Sequence, residues 1–312
     1  MKIRVSTIAF SNNKTLVNEL KKHFQDVKIN EKGIRIHENK LHDFYKDADG
    51  IIVGLEKITS ELIERLPNLK IISKYGVGLD NIDLNACKKR NIKVGWTGGV
   101  NKRSVAEMTL GFILGLSRNL YLTSNQLKNN VWNKRGGIQL SGKTVGIIGV
   151  GYIGKEVIEL LKPFNCKILI NDILDLKGLE LKNIMQVEKD IIYSKSDFIS
   201  IHTPLNNETY NLFNLEVLKK MKSTAFLINT SRGRIINEKD LKFALENRII
   251  AGAALDVYEK EPPEDSEFLN FENLICTPHT GGNSKEAVLA MGVSAIKHLT
   301  DFKKTLNYNE KT

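Results

Sequence analysis

Four side chains that can do acid–base or anion chemistry follow apolar runs that the sequence predicts as buried strands. They are Arg232, Asp256, Glu261 and His279. In a parallel sheet the carboxyl ends of the strands lie at one edge, and ligands bind outside that edge. We therefore expect these four groups to gather there, although they are far apart in the sequence.

The chemistry that these residue types suggest is the reduction or oxidation of a small acid. An imidazole titrates near neutral pH, so His279 is expected to carry a proton, with Glu261 orienting its ring. Arg232 can bind a carboxylate with two parallel hydrogen bonds and polarise the adjacent carbonyl group. An arginine and a histidine beside a hydride carrier favour a 2-hydroxy or 2-keto acid. The alternatives are a surface ion pair for Arg232 and a plain loop position for His279.

A hydride carrier is predicted by residues 143–154, which comprise an apolar strand, the pattern G-x-G-x-x-G and the start of a helix. Gly149 is expected to make the tight turn, Gly151 to let the backbone approach a pyrophosphate, and Gly154 to let the helix pack on the strand. Asp172 ends the next apolar run and can accept hydrogen bonds from a ribose. Its carboxylate repels a 2′-phosphate, which favours NAD over NADP. A glycine-rich turn that binds nothing is the alternative.

Apolar runs alternate with polar, helix-like stretches, which predicts an α/β fold with parallel strands covered on both faces. The predicted strands lie near residues 3–8, 50–53, 70–73, 92–94, 144–148, 168–171, 198–201, 225–229, 250–255 and 274–276. Asn12 or Asn13 is expected to cap the first helix. A long helix is predicted from Asn101 to about Leu120.

The composition excludes several classes of protein. The chain has 312 residues, 41% hydrophobic and 26% charged, which suits about two globular domains. It has no apolar run near the roughly 20 residues that cross a bilayer, no secretory signal pattern and no metal-binding or disulfide spacing among its three cysteines. We expect a cytoplasmic protein without a membrane partner or a metal site. The net charge of +10 is dispersed, which disfavours a nucleic-acid partner and favours attraction of an anionic substrate.

Six segments resemble, in order, motifs of the NAD-dependent D-2-hydroxyacid dehydrogenase family. They are residues 75–83, 101–107, 140–149, 229–233, 255–262 and 277–282. The resemblance covers nearly the whole chain and equates Arg232, Glu261 and His279 with the catalytic residues of the family. It implies a Rossmann-type doubly wound parallel sheet that binds NAD, residues 101–280. This domain would be inserted into a smaller flavodoxin-like α/β substrate domain, residues 1–100 and 281–312, with the active site in the cleft.

The resemblance also implies binding roles for other residues. The expected substrate contacts are the backbone N–H groups of Val77 and Gly78, together with Asn101 and Arg232. The expected cofactor contacts are Gly149, Gly151, Tyr152, Ile153, Gly154, Asp172, Thr203, Pro204, Thr230, Asp256 and His279. Of these, Tyr152 and Ile153 would contact the pyrophosphate, and Asp256 the nicotinamide amide. A homodimer built largely through the NAD-binding domains is expected as well.

Within the family, residues 75–83 and 101–107 are most similar to D-3-phosphoglycerate dehydrogenases. D-3-phosphoglycerate, as used in serine biosynthesis, is therefore the expected substrate. Those enzymes often carry an arginine suited to phosphate where this chain has Gly54, Leu55 and Glu56. An unphosphorylated acid, as in glyoxylate or hydroxypyruvate reductases, is the alternative. An alternative of another class is an NAD(H)-sensing module that binds a protein partner.

Overall fold

The computed structural model describes residues 1–179 and 182–309 and divides the chain into two compact units. Unit 1 comprises Met1–Asn101 and the segment from Gly282 onward, of which residues 282–309 are described. Unit 2 comprises Lys102–Gly281. Residues 310–312, the end of the predicted substrate domain, lie outside the described residues.

Unit 1 starts as a series of short strands and helices. They are β1 (Lys2–Val5), α1 (Ile8–Ser11), α2 (Lys14–His23), β2 (Asp26–Ile29), α3 (Glu38–Tyr45), β3 (Gly50–Val53), α4 (Ser60–Glu64), β4 (Ile71–Lys74), α5 (Leu84–Lys89) and β5 (Lys93–Gly95). The strands are parallel, in the order β2-β1-β3-β4-β5, which is the flavodoxin-like order. The predicted cap of α2 is confirmed, because Asn13 Oδ1 accepts a hydrogen bond from Leu16 N at 3.2 Å.

Unit 2 continues the alternation. Its elements are α6 (Lys102–Ser117), α7 (Leu120–Lys128), β6 (Thr144–Ile148), α8 (Tyr152–Leu161), β7 (Lys167–Asn171), β8 (Ile184–Gln186), α9 (Lys189–Lys195), β9 (Phe198–Ile201), α10 (Leu215–Lys220), β10 (Phe226–Asn229), α11 (Glu238–Glu246), β11 (Gly252–Leu255), α12 (Ser266–Leu269) and β12 (Leu274–Cys276). The last helix, α13 (Lys285–Asn309), belongs to unit 1. Within the described residues, no helix is both long and apolar enough to cross a bilayer.

The sheet of unit 2 confirms the predicted doubly wound fold. Its strands are parallel, in the order β12-β11-β10-β9-β6-β7-β8. The order reverses at β6, which pairs with β7 on one side and with β9 on the other. This is the Rossmann order with one strand added, and it creates a crevice for a ligand at the switch point between β6 and β9.

The strands of this sheet end in register, so the residues that follow them share one edge. Ile201 is the pairing partner of both Ile148 and Asn229. Asn229 in turn pairs with Leu255, and Leu255 pairs with Cys276. Buried apolar side chains cover both faces of these strands, which holds the strand ends level. The turns after β6, β9, β10, β11 and β12 therefore lie side by side.

The sequence prediction missed two strands and misplaced two boundaries. β2 and β8 are outer strands with mixed exposure, so neither has the continuous apolar run of an inner strand. The predicted strand at residues 3–8 is wrong beyond Val5, because α1 begins at Ile8. The long helix ends at Ser117 rather than near Leu120. Asn119 then adopts a left-handed φ of 52° before α7.

Candidate active site

The side chains of His279 and Glu261 meet at the carboxyl edge of the unit 2 sheet. His279 Nδ1 lies 2.8 Å from Glu261 Oε2. Their side chains are 29% and 30% exposed, so a ligand can reach the pair without any unfolding. A carboxylate on Nδ1 fixes the ring orientation and assigns proton transfer to the other ring nitrogen, Nε2.

The carboxyl group of Glu261 is held in its charged form. Burial works against the charge, but the hydrogen bond and charge of His279, the backbone N–H of Tyr258 and the charge of Arg232 outweigh it. The net effect lowers the pKa of Glu261 below its ordinary value. The charge of Arg232 therefore also acts on this carboxylate, which lies beside the imidazole of His279.

The turn that carries Arg232 is built by a buried asparagine. Asn229 Nδ2 donates to Arg232 O at 2.9 Å, while its Oδ1 accepts from Ser231 N at 3.0 Å. Arg232 Nη1 donates to Ser231 O at 2.7 Å. At the next position, a Cβ on Gly233 would lie 1.9 Å from the carbonyl carbon of Tyr258. Only glycine allows this contact, which brings the Arg232 turn against the segment that leads to Glu261.

Asp256 builds the turn that carries His279. Its carboxylate is buried and accepts from Thr277 Oγ1 at 2.5 Å, Thr280 N at 2.8 Å and Gly281 N at 2.7 Å. Its backbone oxygen accepts from His279 N at 2.8 Å. These bonds hold His279 at a positive φ of 53°, which is uncommon for a residue other than glycine. The predicted contact of Asp256 with the nicotinamide amide stays a prediction.

The three glycines after β6 fit the phosphate site of a dinucleotide. Gly149 has a φ of 90°, and a Cβ there would lie 2.7 Å from the backbone of His202. A Cβ on Gly154 would lie 2.2 Å from Gly149 O, so the helix packs directly on the turn. Within the described part of the chain, nothing lies within 4 Å of the Cβ position of Gly151. This open position adjoins the uncapped first turn of α8, where backbone N–H groups bind anions.

Two further groups in this region suit a nucleotide. Asp172 Oδ2 accepts from Val150 N at 2.7 Å and its Oδ1 from Leu174 N at 3.0 Å, so the carboxylate is fixed beside the glycine turn. Thr203 Oγ1 is buried and has no hydrogen-bond partner among the described residues. Such an orphaned hydroxyl is expected where a ligand supplies the partner. The residues present therefore fit NAD.

The remaining predicted cofactor residues have simpler surroundings. Tyr152 is exposed and Ile153 half-buried in the first turn of α8. Pro204 O accepts a hydrogen bond from Thr209 Oγ1 at 2.7 Å. Thr230 is buried, with its hydroxyl 3.2 Å from that of Thr109 on α6. Their contacts with NAD stay predictions.

His202 lies at the same sheet edge but cannot replace His279 as a proton carrier. The side chain is half-buried with its Nδ1 enclosed, and its Nε2 lies 2.9 Å from Ser200 Oγ. Desolvation by burial lowers the pKa of His202 to about 3. The ring therefore stays neutral near pH 7 and serves the packing beneath the nucleotide turn.

The predicted substrate residues Val77, Gly78 and Asn101 belong to unit 1. Val77 O accepts a hydrogen bond from Trp96 Nε1 at 2.8 Å, a contact that the sequence did not reveal. Asn101 is buried, and its Oδ1 lacks a hydrogen-bond partner among the residues that the structure covers. No three His, Cys, Asp or Glu side chains of the described residues are grouped to hold a metal ion.

The fold and the nucleotide turn define a Rossmann-type, NAD-dependent oxidoreductase. The family described as "D-isomer specific 2-hydroxyacid dehydrogenase, NAD binding domain" matches residues 110–281, and the chain belongs to this family. It is 40% identical over 264 residues to a glyoxylate reductase of Thermofilum pendens, covering 81% of this chain and 78% of that protein. The predicted family, the cofactor NAD and the class of enzyme are thereby confirmed.

Two other comparisons show how widely the named activities vary. The chain is 36% identical over 267 residues to a D-3-phosphoglycerate dehydrogenase of Methanocaldococcus jannaschii, covering 84% of this chain but 51%, about half, of that protein. A solved structure of D-lactate dehydrogenase from Aquifex aeolicus, complexed with NAD and lactic acid, matches with a TM-score of 0.84 and 27% identity. That match covers 98% of this chain and 96% of the other.

Proposed function

We propose that the protein interconverts a small, unphosphorylated D-2-hydroxy acid and its 2-keto acid, with Arg232, Glu261 and His279 as catalytic residues. The observation that carries this proposal is the 2.8 Å contact between His279 and Glu261, beside the turn of Arg232. Unit 2 would be the NAD-binding domain and unit 1 the substrate domain.

Each catalytic residue has a distinct task in the reduction of the keto acid. Arg232 binds the carboxylate and polarises the carbonyl group. When bound, NADH supplies the hydride to the carbonyl carbon. His279 donates a proton from Nε2 to the carbonyl oxygen as negative charge develops there. The carboxylate of Glu261 stabilises the charged ring before the transfer, and His279 takes the proton back in the oxidation direction.

The end of β3 supports an unphosphorylated substrate. Glu56 Oε2 accepts from Gly54 N at 2.6 Å, which places a carboxylate in the loop where a phosphate-binding arginine is expected. The buried Lys74 Nζ donates to Gly54 O at 2.5 Å and to Asn81 Oδ1 at 2.7 Å. Its ammonium group therefore already donates hydrogen bonds to oxygen atoms of the protein. D-3-phosphoglycerate is the second candidate, supported by the similarity to the M. jannaschii enzyme.

Other residues of both units would bind the substrate and the cofactor. The N–H groups of Val77 and Gly78 bind the substrate carboxylate, and the orphaned Oδ1 of Asn101 accepts from a substrate hydroxyl. Tyr152, Ile153, Thr203, Pro204, Thr230 and Asp256 contact NAD. The protein would act in the cytoplasm.

We also propose a homodimer formed through unit 2. Helix α7 has no buried residue, and Leu120, Tyr121 and Leu127 on it are each more than half exposed. A second copy of the chain would remove this apolar surface from water. Light scattering would measure twice the chain mass, and a monomer at micromolar concentration would contradict the proposal.

A panel of 2-keto acids tests the proposed substrate. The oxidation of NADH is followed with glyoxylate, hydroxypyruvate, pyruvate and phosphohydroxypyruvate. We expect kcat/KM to be highest for an unphosphorylated acid; a higher value for phosphohydroxypyruvate would favour the second candidate.

Arg232→Lys should lower kcat/KM by a factor on the order of 10² to 10³, because lysine cannot form the two parallel bonds. The exposed Arg234→Lys is the matched control, and equal rates in both variants would contradict the role of Arg232.

A further inference from the structure

The loop after β4 is held by a side chain outside the catalytic set. Trp96 follows β5, and its Nε1 donates a hydrogen bond to Val77 O at 2.8 Å. That oxygen belongs to the same planar peptide unit as the N–H of Gly78. In a trans peptide the C=O and N–H bonds point in opposite directions, so a bond that fixes Val77 O also fixes the direction of Gly78 N–H.

The residues on both sides of Trp96 contact helix α13. Its neighbour Thr97 accepts a hydrogen bond through Oγ1 from Ser294 Oγ at 2.8 Å and lies 2.9 Å from His298 Nε2. Both partners are on α13. On the other side of Trp96, a Cβ on Gly95 would lie 2.5 Å from His298 Cβ. The backbone on both sides of Trp96 is therefore packed or bonded to one long helix.

The base of the 75–81 loop is fixed from another direction. Asn81 Oδ1 accepts from Lys74 Nζ at 2.7 Å, and Asn81 O accepts from Ile58 N at 2.8 Å. Gly76 adopts a φ of 125°, a conformation that side chains other than glycine rarely allow. At the other end of the loop, Tyr75 N donates to Val53 O at 2.8 Å. The Trp96 bond therefore acts on the part between these anchors, the peptide of Val77 and Gly78.

We infer that Trp96 is a positioning residue that directs Gly78 N–H toward the carboxylate of the substrate. This inference rests on the proposed carboxylate-binding role of the Val77 and Gly78 amides. A hydrogen bond received by a carbonyl oxygen also polarises the peptide unit, which strengthens its N–H as a donor. Trp96 should therefore affect the binding of the 2-keto acid through its carboxylate, and leave the proton and hydride steps unchanged.

The test removes one N–H group while keeping the shape of the ring. Trp96 and Trp132 are the only tryptophans of the chain, so Trp132→Phe supplies a parent protein with a single tryptophan. Expression with benzothienylalanine then replaces the Nε1–H of Trp96 by sulfur. We expect KM for the best 2-keto acid of the panel to rise about fivefold, the equivalent of one neutral hydrogen bond. The value of kcat should stay within about twofold, and KM for NADH should not change. Trp96→Phe should show the same pattern.

A binding measurement makes the test independent of turnover. Oxamate carries the carboxylate but is not reduced, and its affinity for the NADH complex, measured by calorimetry, should fall by the same factor as KM rises. An isosteric variant with the KM and oxamate affinity of the parent would overturn the role of Trp96 and leave the proposed function intact. Equal losses in kcat and NADH affinity would indicate general damage and also overturn it. A parent that neither reduces any acid of the panel nor binds oxamate would overturn both proposals.

Discussion

The carboxyl edges of the two sheets have the same strand-and-loop construction but use charge differently. In unit 2, the side chains of His279 and Glu261 are 29% and 30% exposed and face each other. In unit 1, Lys74 is 5% exposed and its ammonium group binds loop oxygens. A partly exposed charge can meet a ligand, whereas a buried charge serves the loops around it. On the proposed assignment, unit 2 would supply the reacting side chains and unit 1 a backbone held in place.

The two histidines of the unit 2 edge show the same contrast at closer range. Burial lowers the pKa of His202 to about 3, whereas His279 has a carboxylate on Nδ1 and remains accessible. Residue type alone does not separate them, because both follow a strand of one sheet. Burial and the neighbouring carboxylate decide which ring can exchange a proton.

The largest expected effect comes from removing the reactive imidazole. His279→Gln keeps a polar side chain but no proton carrier, so kcat should fall by a factor of about 10³. The affinity for NADH should change less than twofold. The exposed His23→Gln in α2 is the control and should keep full activity. If His279→Gln retained more than a tenth of the wild-type kcat, the assignment of the proton carrier would be wrong.

A smaller effect is expected on the choice of cofactor. The carboxylate of Asp172 repels a 2′-phosphate, so Asp172→Ser should raise the ratio of kcat/KM for NADPH to that for NADH by about 10- to 100-fold. Initial rates with each cofactor measure the ratio. Glu188→Gln, an exposed carboxylate just after β8, should leave it unchanged. An unchanged ratio in Asp172→Ser would show that another group discriminates.

In unit 1, the buried charge should matter for stability. Lys74→Met removes a charged donor from Gly54 O and Asn81 Oδ1, which should lower the thermal midpoint by roughly 3–8 °C. The exposed Lys57→Met removes a lysine from the loop after β3, to which Lys74 donates, and should shift the midpoint by less than about 2 °C. Scanning calorimetry gives both values. Similar midpoints for the two variants would contradict the structural role of Lys74.

The smallest effect is a pH dependence that arises from Glu261. Because the folded state lowers the pKa of this carboxyl below 4.5, its stabilisation is present above the unfolded pKa and is lost as pH falls through the folded pKa. At pH 7 the wild type should unfold about 1–3 °C above Glu261→Gln. The difference should disappear in buffers well below pH 4.5. A difference that persisted or grew in acid would contradict the lowered pKa.

Much of the fold could be predicted because its signals are local. The inner strands are continuous apolar runs, and the glycine turn needs specific backbone conformations at fixed spacing. The strands β2 and β8 were missed, because each is short and mixes polar with apolar residues, whereas the outer strand β12 was predicted from its apolar residues Leu274 and Ile275. The placement of Arg232 and His279 at one edge was predictable, since parallel strands must end on the same side.

The sequence by itself determined the nucleotide turn, the acidic residue that favours NAD, and the strands after which the candidate catalytic side chains follow. Only the tertiary structure decided which nitrogen of His279 faces Glu261, that Asp256 closes the His279 turn and that Nδ1 of His202 is enclosed. It also decided that Trp96 holds Val77 O. These features depend on contacts between segments that are distant along the chain, and on how much water each polar group loses. The spacing of residues within a motif specifies neither these long-range contacts nor the loss of water.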